Sequence, residues 1–328
     1  MAAKWKVIGA AAVIICCAAA CIYYINNILQ ISETDINAYI GKTGSSSRIK
    51  RAIARSVLLN SNHGCDWGIL NKADVSVILS RVKSRQKDAV IIVRRGFAKD
   101  IISLYEKHNG KYRYAVTVGT FADLRDFQIM PLREQNGNVI VTREQINGSP
   151  LEEASYIRVY AWDEGKFQNV LSIPDKYVAY YNELWDESKP ADRSNWIKVS
   201  GRSDVLWENS DAPVIHVMTR QSYSLSVSVN RRERPDETDF NIIRNRDVFE
   251  DYIWSGKWMH FILFEGSDRQ NDEPVAVIED LSGSPYGLIG QFSKASGKYR
   301  VKYIDGSIEI VDKDRIKPDI ELKKTRQI

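Results

Sequence analysis

Four cysteines and four histidines in 328 residues leave little material for thiol or metal chemistry. Three of the cysteines, Cys16, Cys17 and Cys21, share one apolar run, so the rest of the chain holds only Cys65 and no internal disulfide. The histidines stand at 63, 108, 216 and 260, and none has a partner at the spacing of a zinc-binding helix. A glycine-rich phosphate loop and a Gly-x-Ser-x-Gly elbow are both absent. The chain therefore offers no catalytic, cofactor or metal set, and binding is a better expectation than catalysis.

Acid is also missing where it would be most visible. No Asp or Glu precedes Glu33, and Val7 to Ile25, "VIGAAAVIICCAAACIYYI", is nineteen residues without a charge behind Lys4 and Lys6. Roughly 20 apolar residues cross a bilayer as a helix, because the buried backbone must bond to itself. Residues 7–25 are accordingly expected to engage a lipid bilayer. Two forms of that attachment stand: "AAAC" places Cys21 where a bacterial lipoprotein signal is cleaved and lipidated, whereas the run on through "IYYI" suits an uncleaved signal-anchor. Both put the body outside the cytoplasm. Lys42, Arg48, Lys50, Arg51 and Arg55 follow the run without an acid among them, and positive charge near a span favours the cytoplasmic side. A cytosol-facing interaction protein is the reading that this charge supports.

Lys and Arg total 46 against 42 Asp and Glu. Setting aside Lys4, Lys6 and the five cations of residues 42–55 leaves 39 basic residues, so the remainder is close to neutral. A nucleic-acid partner, which needs a concentrated basic face, is not expected.

Beyond "GKTGSSS", a Gly/Ser spacer, "RIKRAIARSVLL" sets Ile49, Ile53 and Val57 at i, i+4 and i+8, which predicts a short amphipathic helix. From about residue 70 the pattern turns to short apolar or alternating runs, such as "VSVILSRV", "AVIIVRR", "YIRVYAW", "WMHFILFE", "PVAVIED" and "SIEIV". Val, Ile and aromatic side chains suit a pleated, half-buried surface. "FNIIRNRDVFEDYIW" fits either helix or strand. The expectation is a mainly β body of antiparallel meanders, propeller-like or sandwiched.

One outline recurs. "YEKHNGKY" from Tyr105, "YAWDEGKF" from Tyr160 and "FSKASGKY" from Phe292 each run aromatic, four residues, then Gly-Lys-aromatic. "HNG", "DEG" and "ASG" suit turns in which glycine takes a positive φ, so the outline predicts hairpins with aromatics from both arms on one sheet face. Asp305-Gly306 reads as a further two-residue turn. The first two copies start 55 residues apart, about the length of a propeller blade. "ISLYEKHNGKYRYAVTVG" and "IRVYAWDEGKFQNVLSI" resemble blades of bacterial FG-GAP/VCBS-type propeller repeats over residues 75–175, a resemblance that implies an envelope-associated protein. The Asp-x-Asp-Gly calcium pattern common in that family has no counterpart here. The C-terminal "GKYRVKYIDGSIEIVDKDRIKP" looks like a strand pair of an SH3-like or Tudor-like barrel.

Three stretches hold the residues of interest. "NHGCDWG" brings His63, Cys65 and Asp66 together, although a nucleophile and its base usually come from distant parts of a fold, and an incidental thiol in a turn accounts for it. "EGSDRQNDEP" offers Asp268, Asp272 and Glu273 without the spacing of a calcium loop, so solvated side chains are expected. The recognition candidate is residues 177–199, where Tyr177, Tyr180, Tyr181, Trp185 and Trp196 surround Asp186, since exposed rings beside carboxylates suit glycans or protein partners. Trp254, Trp258 and His260 form a second aromatic concentration.

The resulting organisation is a signal or anchor segment (1–30), a linker with a short helix (31–66) and a β-rich domain (67–328) with a sub-boundary near 230–245. The expected role is a membrane-tethered, extracytoplasmic binding or scaffold protein of a bacterial envelope, with an envelope protein or glycan as partner and no cofactor. A carbohydrate hydrolase using a pair of carboxylates is the enzymatic alternative.

Overall fold

A computed structural model describes residues 30–41, 47–63, 67–83, 87–96, 98–132, 137–185, 195–208, 213–226, 233–282 and 297–319. They are mainly β, and every strand pairing is antiparallel. The chain divides into two compact units, one ending at Phe121 and the other beginning at Ala122. Among the described residues no helix is long and apolar enough to cross a membrane. The expected anchor at 7–25, with Cys21, lies outside them.

The first unit holds β1 (Gln30–Ser32), α1 (Glu33–Ile40), α2 (Ser47–Asn60), α3 (Trp67–Lys72), β2 (Asp74–Ser80), β3 (Asp88–Arg94), β4 (Asp100–His108) and β5 (Lys111–Phe121). Its strands run in the order β1-β5-β4-β3-β2. Ser32 starts α1 by accepting the Asp35 amide at 3.0 Å, which satisfies one of the orphan donors of a helix start. The amphipathic spacing is borne out in α2: Ile53 and Val57 are fully buried and Ile49 packs beside them, against Val75, Ile91 and Ile101 of the sheet. Tyr105 of β4 pins the helix, its hydroxyl lying 3.0 Å from Ser56 Oγ and accepting from Asn60 Nδ2 at 3.2 Å. Burial pushes that hydroxyl up to about 12.

The second unit opens with eight strands: β6 (Leu124–Leu132), β7 (Gly137–Ser149), β8 (Glu152–Asp163), β9 (Lys166–Asn182), β10 (Trp196–Glu208), β11 (Val214–Ser226), β12 (Phe240–Ser255) and β13 (His260–Ile262). They form one meander in chain order. Five more follow: β14 (Phe264–Asp268), β15 (Pro274–Asp280), β16 (Lys298–Tyr303), β17 (Ile308–Asp312) and β18 (Ile316–Pro318). Their order is β17-β16-β15-β14-β18, with a 3-10 turn at Lys313–Arg315 before the last strand returns to pair with the first.

Two of the repeated hairpins are seen whole. Asn109-Gly110 and Glu164-Gly165 both carry positive φ at the two central residues (47° and 73°, 42° and 91°), the twist that a two-residue hairpin needs. The ring pairs across them are Tyr105 with Tyr114 and Trp162 with Phe167, edge to face at 5.7 and 5.3 Å. Phe292 and the "ASG" turn up to Ser296 lie outside the described residues.

Three expectations need correcting. "WMHFILFE" is not one strand: it breaks at Leu263 into β13 and β14, which belong to different sheets. The Asp305-Gly306 turn is a three-residue connection, closed by Gly306 N–H to Tyr303 O at 3.0 Å and Tyr303 N–H to Ser307 O at 2.9 Å. Only Gly306 takes positive φ there, as a type I turn followed by a glycine bulge requires. Asp268 is not solvated but fully buried, because Arg315, far along the chain, donates to it at 2.8 and 2.5 Å and the Tyr303 hydroxyl at 2.8 Å. These donors hold its carboxyl low, at about 2.

Candidate functional site

The eight-stranded meander is not zipped along its whole length. β10 pairs with β9 only from Trp196–Asn182 to Arg202–Lys176, whereas β10 stays with β11 as far as Glu208 and β9 stays with β8 as far as Lys166. Beyond Lys176 the two strands part. The sequence "SIPDK" explains where: the β8–β9 register shifts at this level, and Pro174 has no N–H to give a neighbouring strand. Ser203 Oγ donates to the Pro174 carbonyl at 2.5 Å in place of a ladder bond. The sheet thus forks into β6–β9 on one side and β10–β13 on the other, with a shared core of Val159, Leu171 and Ile173 against Ile215, Tyr252 and Phe261.

Between the arms of the fork lies a cavity of about 150 Å³. Met130, Val141, Ile157, Val159 and Ile173 line it from the first arm, and Val205, Trp207 and Ile215 from the second. Trp207 stacks edge to face on Phe261 at 5.5 Å, and its buried indole N–H has no hydrogen-bond partner. Arg143 and Val205 also line a second, open depression of about 830 Å³, so the cavity and this trough adjoin.

The trough is cationic. Arg143, Lys176, Lys198, Arg202 and Arg220 line it against Asp175 and Asp204. Lys176, Arg202 and Arg220 occupy one rung: Lys176 is directly opposite Arg202, and Arg202 directly opposite Arg220. Like charges so placed repel, destabilising the pair by up to about 1 kcal/mol. Asp175 answers Arg143 at 3.2 Å, Asp204 lies 3.7 Å from Arg220, and Glu237 pairs with Lys198. Among the described residues Lys176 and Arg202 have no ion pair. The floor is made of hydroxyls, with Ser200 and Ser222 2.8 Å apart and Ser155 3.2 Å from Asp175.

The predicted recognition residues do not gather into one patch. Tyr177 is buried across Gly201, where an added Cβ would fall 2.4 Å from the ring, and its unpartnered hydroxyl is pushed up by burial with Arg246 opposing. Tyr181 packs near it in the same cluster. Tyr180 faces the other side, where its hydroxyl donates to Glu237 and the Arg234 guanidinium sits 4.6 Å from its ring. Trp196 is buried, and the side chain of Trp185 and all of Asp186 lie outside the described residues. Of the four whose side chains are described, Tyr177 lines the trough. Trp254, Trp258 and His260 are also buried, and burial first, then Lys302, lowers His260 to about 3. His63 donates from Nδ1 to the Ser61 carbonyl at 2.7 Å, while Cys65 and Asp66 lie outside the described residues.

A second polar cluster joins β12 to the C-terminal sheet. Tyr252 donates to Glu250 at 3.2 Å, Arg300 lies 2.8 Å from Glu279, and Lys313 lies 2.7 Å from Asp280. Burial raises Glu250 to about 7 and also lifts Glu279. None of the three lines the cavity or the trough.

Sequence reasoning passed over the fork because its signal was one proline in a strand and a cation row visible only once register is known. No family model matches this chain, nor does any curated protein or solved structure.

Proposed function

We propose that the chain is a membrane-tethered, extracytoplasmic β-rich binding protein of a bacterial envelope, and that it binds its ligand in the fork between β9 and β10. The observation that carries the reading is an apolar cavity adjoining a trough whose central cations, Lys176 and Arg202, have no carboxylate partner among the described residues. Residues 7–25 supply the tether.

Two measurements test it. A reporter active only outside the cytoplasm, fused after Ile328, is expected to be active; an inactive reporter on a stable, membrane-inserted fusion puts the body in the cytoplasm. Hydrogen exchange of the full chain with and without a cell-envelope extract is expected to show protection at Ser172–Lys176 and Gly201–Val205. Unchanged exchange there removes the fork as a binding site.

The enzymatic alternative draws on one observation: a carboxyl held near neutral pH, as Glu250 is, suits a general acid. Glycoside turnover lost in Glu250→Gln would favour it over binding.

A further inference from the structure

We propose that the fork takes a small anionic amphiphile, with a carboxylate or phosphate head between Lys176 and Arg202 and a hydrocarbon chain of about six carbons in the cavity. The proposal rests on the fork being the ligand site and names what fills it.

The head follows from the charge arrangement. Two cations with no ion pair among the described residues stand directly opposite one another on adjacent strands, where like charges repel. An anion between them removes that repulsion, and a guanidinium can present two parallel N–H donors to a carboxylate or phosphate. Asp175 and Asp204 do not fill this role, because they face Arg143 and Arg220. The hydroxyls of Ser200 and Ser222 are further donors in the same trough.

The tail follows from the cavity. Its lining of Val, Ile and Met side chains is closed to hydrogen-bonding groups except at the side of Asp126, Gln128, Thr142 and Arg143, and by the Trp207 indole. About 150 Å³ of apolar space accepts a benzene-sized group, so a short stretch of hydrocarbon fits and a bulky sugar does not. Arg143 and Val205 belong to both spaces, which places the charged end and the apolar end of one molecule in register. A free polyanion satisfies the trough and leaves the cavity unused. A neutral hydrocarbon does the reverse.

The test uses the full chain in zwitterionic-lipid nanodiscs, free of detergent, with calorimetric titration of octanoate and octyl phosphate. Acetate and inorganic phosphate are the head-only probes, and octyltrimethylammonium carries the opposite charge. The two anionic amphiphiles are expected to bind roughly tenfold or more tightly than any of the other three. Lys176→Ala/Arg202→Ala is expected to lose that preference, and Val205→Trp, which fills the cavity from the second arm, to reduce octanoate to the level of acetate. Both variants are checked for wild-type melting. Nanodiscs containing phosphatidylglycerol separate the sources: loss of octanoate binding there assigns the head to a bilayer lipid, and unchanged binding assigns it to a free amphiphile. Equal affinity for the cationic probe, or octanoate binding that survives the double substitution, overturns the proposal. Protection of the fork by envelope extract or an acidic peptide but not by octanoate rejects the amphiphile and leaves the site standing; protection by none of them rejects both.

Discussion

Two charged regions of the residues after Phe121 treat their charges in opposite ways. In the C-terminal sheet Asp268 is wholly buried and fully answered by Arg315 and Tyr303, which arrive from β18's approach and β16. In the fork, three cations share one rung and two of them have no ion pair among the described residues. The first arrangement closes a sheet, since it ties the turn before β18 to the strand that β18 pairs with. The second leaves Lys176 and Arg202 without an ion pair among the described residues. Charge that is satisfied internally ties architecture together, whereas like charges placed opposite one another weaken the rung they share.

The comparison can be broken most severely at Asp268. Asp268→Ala strands Arg315 and is expected to lower the melting temperature by about 10 °C, read by circular dichroism at pH 7. The carboxyl is held below its ordinary 3.8, so its contribution is present above that pH and fades as pH falls toward 2. Wild type and variant should therefore converge in acid; a constant gap would detach the stabilisation from the ion pair.

Glu250 comes next and has the opposite sign. Its carboxyl is raised from 4.5 to about 7, so the folded state holds its proton more tightly than the unfolded chain. Stability should decline by about 3 kcal/mol as pH rises from about 4.5 through 7, and Glu250→Gln should flatten that slope in urea melts at pH 5 and pH 8. A smaller effect is expected at Gly201, where Gly201→Ala must displace the Tyr177 ring at a cost of about 2 kcal/mol, seen as a lower urea midpoint.

Removing a fork cation should do less than any of these. Lys176→Ala or Arg202→Ala is expected to shift stability by no more than about 0.5 kcal/mol, or to raise it, because a repulsion is relieved. A loss comparable with that of Asp268→Ala would make the row structural and erase the contrast. The smallest effect belongs to His216, which lies 2.8 Å from Asp251 and 3.1 Å from Glu208 on an exposed surface. Hydrogen bonds to Asp251 and then Glu208 raise it above 6.5, so its contribution is complete below that pH and disappears as pH rises through the folded value. Proton NMR should find the midpoint above 6.5 in wild type and lower in Asp251→Asn, where Glu208 alone still raises it.

Local features of the fold were readable in the amino-acid order. Strands such as β3 and β15 announced themselves as Val/Ile runs, α2 by its i, i+4, i+8 spacing, and the hairpins by Asn-Gly and Glu-Gly at their tips. What was not readable depends on partners distant in sequence. β12 groups its charged and apolar residues in blocks rather than alternating them and leaves Ile242, Ile243 and Phe249 exposed, so its pattern does not point to a core. The burial of Asp268 depends on a cation 47 residues away. Lys176, Arg202 and Arg220 are unremarkable in sequence and become a row only through the pairing of three strands. The aromatic stretch at 177–199 was noticed for its rings, but strand alternation sends Tyr177 and Tyr180 to opposite faces.

Pro174 gives the cleft an unusual kind of permanence. A gap kept open by bulky side chains can be sealed by trimming them one at a time, whereas at this one a proline stands just past the last rung and has no amide hydrogen to offer the next. Pro174→Val would restore that hydrogen and let further rungs form between β9 and β10, trading the opening for a longer zipper. The parting at the centre of the meander therefore carries a mark in the backbone, one that side-chain drift along its walls leaves in place.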